Sequence, residues 1–197
     1  METGKNPNQI IHGSLRLTDQ DIYLFKEGNH FRLYDKLGAH VTTLNGKKGT
    51  YFAVWAPNAH YVSVVGDFNG WNRGSHKLGV RWDSSGIWEG FIEGVKQGDH
   101  YKYYIESKSN GYKVEKRDPF AYYNELPPRT ASTVWDLDYK WNDTQWMKTR
   151  AQRNSLKGPI SVYELHLGSW RRKMEEGNRS LTYRELAKYL VDYIKEM

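Results

Sequence analysis

Cysteine is absent from the 197 residues, which removes disulfides, zinc–thiolate sites and thiol nucleophiles together and fits a cytoplasmic setting. Long apolar runs are missing as well. No stretch approaches the roughly 20 apolar residues that cross a bilayer, so no membrane partner is expected. Residues 1–14 are polar and carry no apolar core behind basic residues, so no secretory signal is read there. Histidines are scattered without a ligand spacing such as H-x-x-x-H, and neither a metal site nor a cofactor is expected. The formal charge of +6 does not gather around the aromatics. Residues 1–139 carry 17 Lys or Arg against 16 Asp or Glu, whereas residues 140–197 carry 12 against 7. A surface that tracks phosphates needs its cations beside its stacking rings, because counterion release supplies most of the affinity. A nucleic-acid partner is therefore not expected.

What the chain has in abundance is aromatic side chains, 15% of the residues, with eight Trp and fifteen Tyr. From residue 51 to residue 135 short apolar or alternating segments are punctuated by turn residues, the spacing of an all-β sandwich. Strands are expected over 50–55, 61–66, 87–92, 101–107, 112–116 and 133–135. Asp67-Phe68-Asn69-Gly70, Ser84-Ser85-Gly86 and Ser109-Asn110-Gly111 supply the Asn, Asp and Gly that reversals need. Alternation over 101–106 puts Tyr101, Tyr103 and Ile105 on one face and Lys102, Tyr104 and Glu106 on the other. Trp55 and Trp88 are expected to serve packing. Before the sandwich, Thr18 is placed to cap a short helix over 18–25, and residues 32–44 read as extended around Gly38. After it, 141–158 reads as a polar connector. Residues 160–167 form a compact apolar segment of the kind found in parallel sheets, followed by a helix. In that helix Thr182 and Glu185 have capping-box spacing, Leu181 and Leu186 are placed as a staple, and Leu186, Leu190, Ile194 and Met197 continue an apolar stripe. The fold class is thus mainly β: an immunoglobulin-like β-sandwich with a short N-terminal helix and a C-terminal strand–loop–helix that looks like the first unit of a (β/α)8 barrel. The expected divisions are an N-terminal extension (1–45), the sandwich (46–140), a linker (141–158) and the first βα unit (159–197).

Three stretches carry a resemblance: Phe52-Ala53-Val54-Trp55-Ala56-Pro57-Asn58-Ala59, Val64-Val65-Gly66-Asp67-Phe68-Asn69-Gly70-Trp71, and Val162-Tyr163-Glu164-Leu165-His166-Leu167-Gly168-Ser169-Trp170. The first two resemble any α-amylase superfamily member with a family 48 carbohydrate-binding module. The third, with Arg171-Arg172 and Tyr183-Arg184-Glu185-Leu186-Ala187 after it, is similar to the first barrel strand and helix of bacterial 1,4-α-glucan (glycogen) branching enzymes. The resemblance implies an α-1,4-glucan partner (glycogen or a starch-like polysaccharide), the remainder of a catalytic barrel as a second partner, and a parent activity that forms α-1,6 branches through a covalent intermediate. That chemistry takes two carboxylates roughly 5 Å apart. In the family they sit on later barrel strands whose motifs do not occur here, so no catalytic residue is assigned and this chain alone is expected to be inactive. His166 and Glu164 merely share a strand face, and Arg171-Arg172-Lys173 reads as a solvated loop run. The alternatives are the corresponding module of a debranching, isoamylase-type hydrolase and a non-catalytic glycogen-binding scaffold.

Neutral sugars stack their C–H faces on aromatic rings while polar groups bond the hydroxyls. Trp71 after the Asn69-Gly70 turn, Lys102 on its strand and Tyr112 after Asn110-Gly111 have that character. The resemblance places them where the glycogen-binding regulatory subunits of the same module family carry two stacking aromatics and a Lys. Tyr112 stands in place of a Trp there, and Trp135 or Asp136 in place of an amide-bearing residue.

Overall fold

The computed structural model describes residues 10–12 and 16–197. The reading of residues 1–14 as free of a secretory signal lies, apart from 10–12, outside them. The chain forms two compact units, Met1–Tyr139 and Lys140–Met197.

The first unit runs β1 (Ile10–Ile11), α1 (Asp19–Lys26), β2 (Gly38–Leu44), β3 (Lys47–Trp55), β4 (Ala59–Gly66), β5 (Gly79–Val80), β6 (Ile87–Glu93), β7 (His100–Ser107), β8 (Lys113–Lys116), β9 (Tyr123–Asn124) and β10 (Ser132–Thr133). Two antiparallel sheets result. In one, β2, β3 and β6 lie side by side, with β1 and β5 sharing the far edge of β6. In the other, β7 pairs with β4 on one edge and with both β10 and β8 on the other, and β9 lies beyond β10.

Period-2 alternation explains the core. Phe52, Val54, Trp88 and Ile92 from one sheet meet Val62, Val64, Tyr101 and Tyr103 from the other, all buried. Each such side chain contributes about 1.5–3 kcal/mol of transfer free energy. The opposite face of the first sheet is buried too, because Leu17, Ile22 of α1 and Leu37 pack on Tyr51, Ala53 and Ile87. Helix α1 starts where Thr18 predicts: its hydroxyl accepts from the Asp21 N–H at 3.2 Å and Asp21 accepts from the Thr18 N–H at 2.8 Å, a reciprocal cap.

Several expectations change. Residues 33–35 form a 3-10 turn, and Gly38–Leu44, assigned to an N-terminal extension, is a sandwich strand paired along its length with β3. A Gly at φ 102° beside Phe120 lets β2 start there, since an added Cβ would come within 3.2 Å of Phe120. Trp88 is buried as expected, but Trp55 is 55% exposed, its indole N–H donating to the Ser85 carbonyl.

The second unit contains α2 (Thr144–Arg153), α3 (Leu167–Trp170), β11 (Arg172–Lys173), β12 (Arg179–Ser180) and α4 (Tyr183–Glu196). The stretch read as a connector therefore holds a ten-residue helix. Residues 160–166 are not a strand, and Ile160 and Val162 are 81% and 86% exposed. A parallel-sheet strand is held by pairing on its edges and cover on both faces, and no strand among the described residues pairs with this segment. Helix α4 forms as its capping box requires, with Thr182 and Glu185 bonded reciprocally and Leu186 buried, while Ile194 at the other end of the stripe stays exposed. No helix among the described residues is long and apolar enough to cross a membrane.

Candidate functional site

The outer face of the second sheet carries the side chains that alternate away from the core. Lys102, Tyr104 and Glu106 of β7 stand opposite Val65, Ser63 and Tyr61 of β4, and Glu115 of β8 stands opposite Tyr104. Half of this face is roofed. The segment after Trp71 folds back over it: Tyr61 and Ser63 donate to the Arg73 carbonyl, Arg73 pairs with Glu115 at 2.8 Å, and its guanidinium lies 4.9 Å from the Tyr104 ring centre. Toward the start of β7 the face carries the half-buried His100 and Lys102.

Trp71 stands at that end because the preceding turn is tightly specified. Asn69 accepts from the Gly66 N–H at 3.0 Å and donates to the Val64 carbonyl at 2.9 Å. Gly70 and Trp71 are both left-handed, with φ of 59° and 61°. The conformation is free for Gly but costs a Trp about 1–2 kcal/mol. It is held by the Trp71 N–H donating to the Gly66 carbonyl at 3.0 Å and by the indole N–H donating to Asp67 at 3.2 Å. Asp67 also accepts from the His100 N–H at 3.2 Å and faces its ring Nδ1 at 2.8 Å. Burial works against the Asp67 carboxylate, but the His100 contacts outweigh it and hold its pKa below the usual range. Strained positions of this kind cluster at binding sites. The ring is 37% exposed.

Lys102 stands opposite Val65, one rung from the Gly66–Tyr101 pair whose Gly66 carbonyl accepts from the Trp71 N–H, and its ammonium donates to the Thr130 hydroxyl at 2.8 Å. The structure thus places Trp71 and Lys102 at one end of the β4–β7 pair. Tyr112 is not with them. It follows β7 at the opposite end, where its carbonyl accepts from the Ser107 N–H at 2.9 Å, about 17 Å from Lys102 at ~3.4 Å per residue. There it lines a separate 440 Å³ cleft with Pro57, Asn58, Ile105 and Arg117. The physical reason is hairpin length, since the turn between β7 and β8 carries the chain past Ser107 before it reverses.

The second aromatic element beside Trp71 and Lys102 comes from elsewhere. Thr133 of β10 pairs with His100 on one side and Tyr123 on the other, so all three share the outer face, and Trp135 follows at the same parity. Tyr123 and Trp135 stack, centroids 4.9 Å apart and planes 28° to each other, with 51% and 37% of their surfaces exposed. Sequence reasoning missed Tyr123, Asp67 and His100, and treated Trp135 only as a replaced amide; parity with Thr133 was the one signal available. In the second unit, His166 Nδ1 lies 2.8 Å from the Ser169 hydroxyl, a local turn contact. Among the described residues no group of three His, Asp or Glu stands together to hold a metal.

Residues 36–121 match the family described as carbohydrate-binding module 48 (isoamylase N-terminal domain). This region is a family 48 module. Over most of its length the chain is also similar to 1,4-alpha-glucan branching enzymes: 59% identical to that of Aquifex aeolicus over 181 residues, covering 92% of this chain and 28% of the relative. The branching enzyme of Albidiferax ferrireducens is 54% identical over 180 residues, covering 91% and 28%, and that of Myxococcus xanthus 52% over 181 residues, covering 91% and 24%. The chain spans about a quarter of the length of these relatives. Among solved structures, Klebsiella pneumoniae pullulanase complexed with maltotriose is 26% identical over 53% of this chain and 10% of that one, with a TM-score of 0.43.

Proposed function

We propose that this chain is the glucan-associated module of a glycogen branching enzyme, holding α-1,4-glucan on the outer face of its β4–β7–β10–β9 sheet and presenting it to a catalytic barrel that supplies the chemistry. The observation that carries the reading is Trp71: a partly exposed indole kept in a left-handed turn by Asp67 and bonded through its N–H to Gly66, beside the Val65–Lys102 pair, within a family 48 module. Such a ring stacks on the C–H face of a glucosyl unit, while the ammonium of Lys102, already bonded to one hydroxyl, suits a second. Residence in the cytoplasm fits a chain without cysteine.

A stacking ring contributes about 1–3 kcal/mol by analogy with base stacking, so Trp71→Ala will weaken binding about 5- to 150-fold. Native electrophoresis in a gel containing glycogen reads this directly. The wild-type chain will be retarded and the variant much less so; equal mobility of the wild type with and without glycogen would exclude the reading.

Branching itself needs a nucleophile and an acid–base carboxylate fixed at close range on a rigid scaffold. Incubating this chain with amylose will therefore yield no new α-1,6 linkages, as measured by debranching-enzyme digestion and chain-length analysis. New branches would transfer the chemistry to residues of this chain.

A further inference from the structure

Beside the Tyr123–Trp135 pair lies a 340 Å³ pocket whose wall is formed by His100, Tyr123, Glu125, Pro127, Arg129 and Thr133. Its polar groups are placed but not spent. One oxygen of Glu125 is held by the Ala131 N–H at 3.0 Å, which fixes the carboxylate. Its other oxygen stands 3.8 Å from His100 Nε2 and 3.6 Å from Arg129 Nη1, beyond hydrogen-bond length for both. The imidazole is oriented by Asp67 at its Nδ1, which leaves Nε2 toward the pocket. Thr133 is 4% exposed, and its buried hydroxyl has no hydrogen-bond partner.

Asp67 and Glu125 stand beside His100, and Glu125 beside Arg129, so a phosphate or other anion would meet two carboxylates, whereas a neutral polyol meets acceptors and donors side by side. The stacked rings add the apolar surface that a pyranose face requires. We infer that this pocket is a second glucosyl subsite, in which one sugar ring rests against Tyr123 and Trp135 and its hydroxyls bond Glu125, His100 and Arg129. It adjoins the Trp71 position through a single carboxylate, because Asp67 bonds the Trp71 indole with one oxygen and His100 with the other. One glucan strand then runs from Trp71 into the pocket. The inference rests on the proposed glucan binding and adds to it the residues that read the next sugar.

The test is titration of the whole chain with maltoheptaose, followed by calorimetry and by backbone and Trp side-chain NMR. Tyr123→Ala and Arg129→Ala change exposed side chains and leave the core intact. Each will raise the Kd about three- to tenfold, and the wild-type resonances of residues 123–129 and His100 will shift together with the Trp71 indole signal. If the Trp71 signal shifts while residues 123–129 stay still, or if both variants bind as tightly as wild type, the subsite is refuted and glucan binding at Trp71 stands. If maltoheptaose moves neither group and no heat is released, both readings fall.

Discussion

Arg81→Ala will destabilise the first unit by about 3–5 kcal/mol, the loss typical of removing one partner from a buried ion pair. The Arg81 guanidinium is only 3% exposed and bonds Asp83 at 2.7 Å and Glu89 at 2.6 Å. Glu89 also accepts from the buried Tyr51 hydroxyl, and the Asp83 backbone carbonyl accepts from Lys26 of α1. Burial, together with the Glu89 carboxylate, pushes the Tyr51 hydroxyl well above its usual pKa, so it stays a donor. Truncating Arg81 leaves the Glu89 carboxylate in a nearly dry layer between α1 and the first sheet with one hydroxyl to face. Denaturant unfolding followed by fluorescence measures the loss. Replacing Arg81 and Glu89 together by Met and Leu will recover only part of it, because those two charges leave the interior while the Asp83 carboxylate and the Tyr51 hydroxyl lose a partner. A loss below 1 kcal/mol in Arg81→Ala would mean that the pair is open to water in solution. The network lies on the first sheet and the proposed glucan face on the second, so folded Arg81→Ala protein will bind glycogen as wild type does.

Between pH 6.5 and 4 the unit will lose about 3 kcal/mol of stability through His40. This side chain on β2 is buried and meets the Leu37 carbonyl at 3.0 Å and the Tyr122 ring edge-on at 6.1 Å. Burial, then the charge of Arg16, lowers its pKa from 6.5 to about 4, against weaker opposing effects of the Leu37 carbonyl, Asp35 and Asp136. The unfolded chain therefore binds a proton near pH 6.5 that the folded chain refuses until about pH 4. Stability is complete above the unfolded value and falls as pH drops through this window, by about 1.4 kcal/mol per unit of pKa difference. His76, lowered by burial alone, acts in the same direction. Asp118 opposes it: burial raises its carboxyl despite hydrogen bonds from Tyr101, Phe120 and Tyr103, and stability from that group grows as pH falls. The difference between wild type and His40→Gln isolates the histidine. Parallel stability–pH curves for the two would refute the assignment.

Much of the candidate site was legible one residue at a time. Trp71 is announced by Asn69-Gly70, whose side-chain amide and positive φ make the turn, and Lys102 by the alternation that buries Tyr101 and Tyr103. Tyr112 stands apart from Trp71 and Lys102 because its place is set by the register of β8 on β7. Once β8 pairs Lys113 with Glu106, the residue before it faces Ser107, the last residue of β7. Tyr123 was missed because β9 is two residues long, too short for any periodic signal, and is defined only by its pairing with β10.

The amino-acid sequence alone determined the elements whose physics is local. The alternating strands of the sandwich, the caps at Thr18 and Thr182, the turns at Asn and Gly, and the motifs of a family 48 module all depend on residues within a few positions of one another. Tertiary structure alone decided that Gly38–Leu44 joins the sandwich and that residues 160–166 are not a strand, since a strand exists only through its partner. It also decided which aromatics share a face. Trp71, Tyr123 and Trp135 come from three distant segments, brought to one surface by the register of β4, β7, β10 and β9, and register is set by cross-strand pairing and loop length rather than by any residue's own preference.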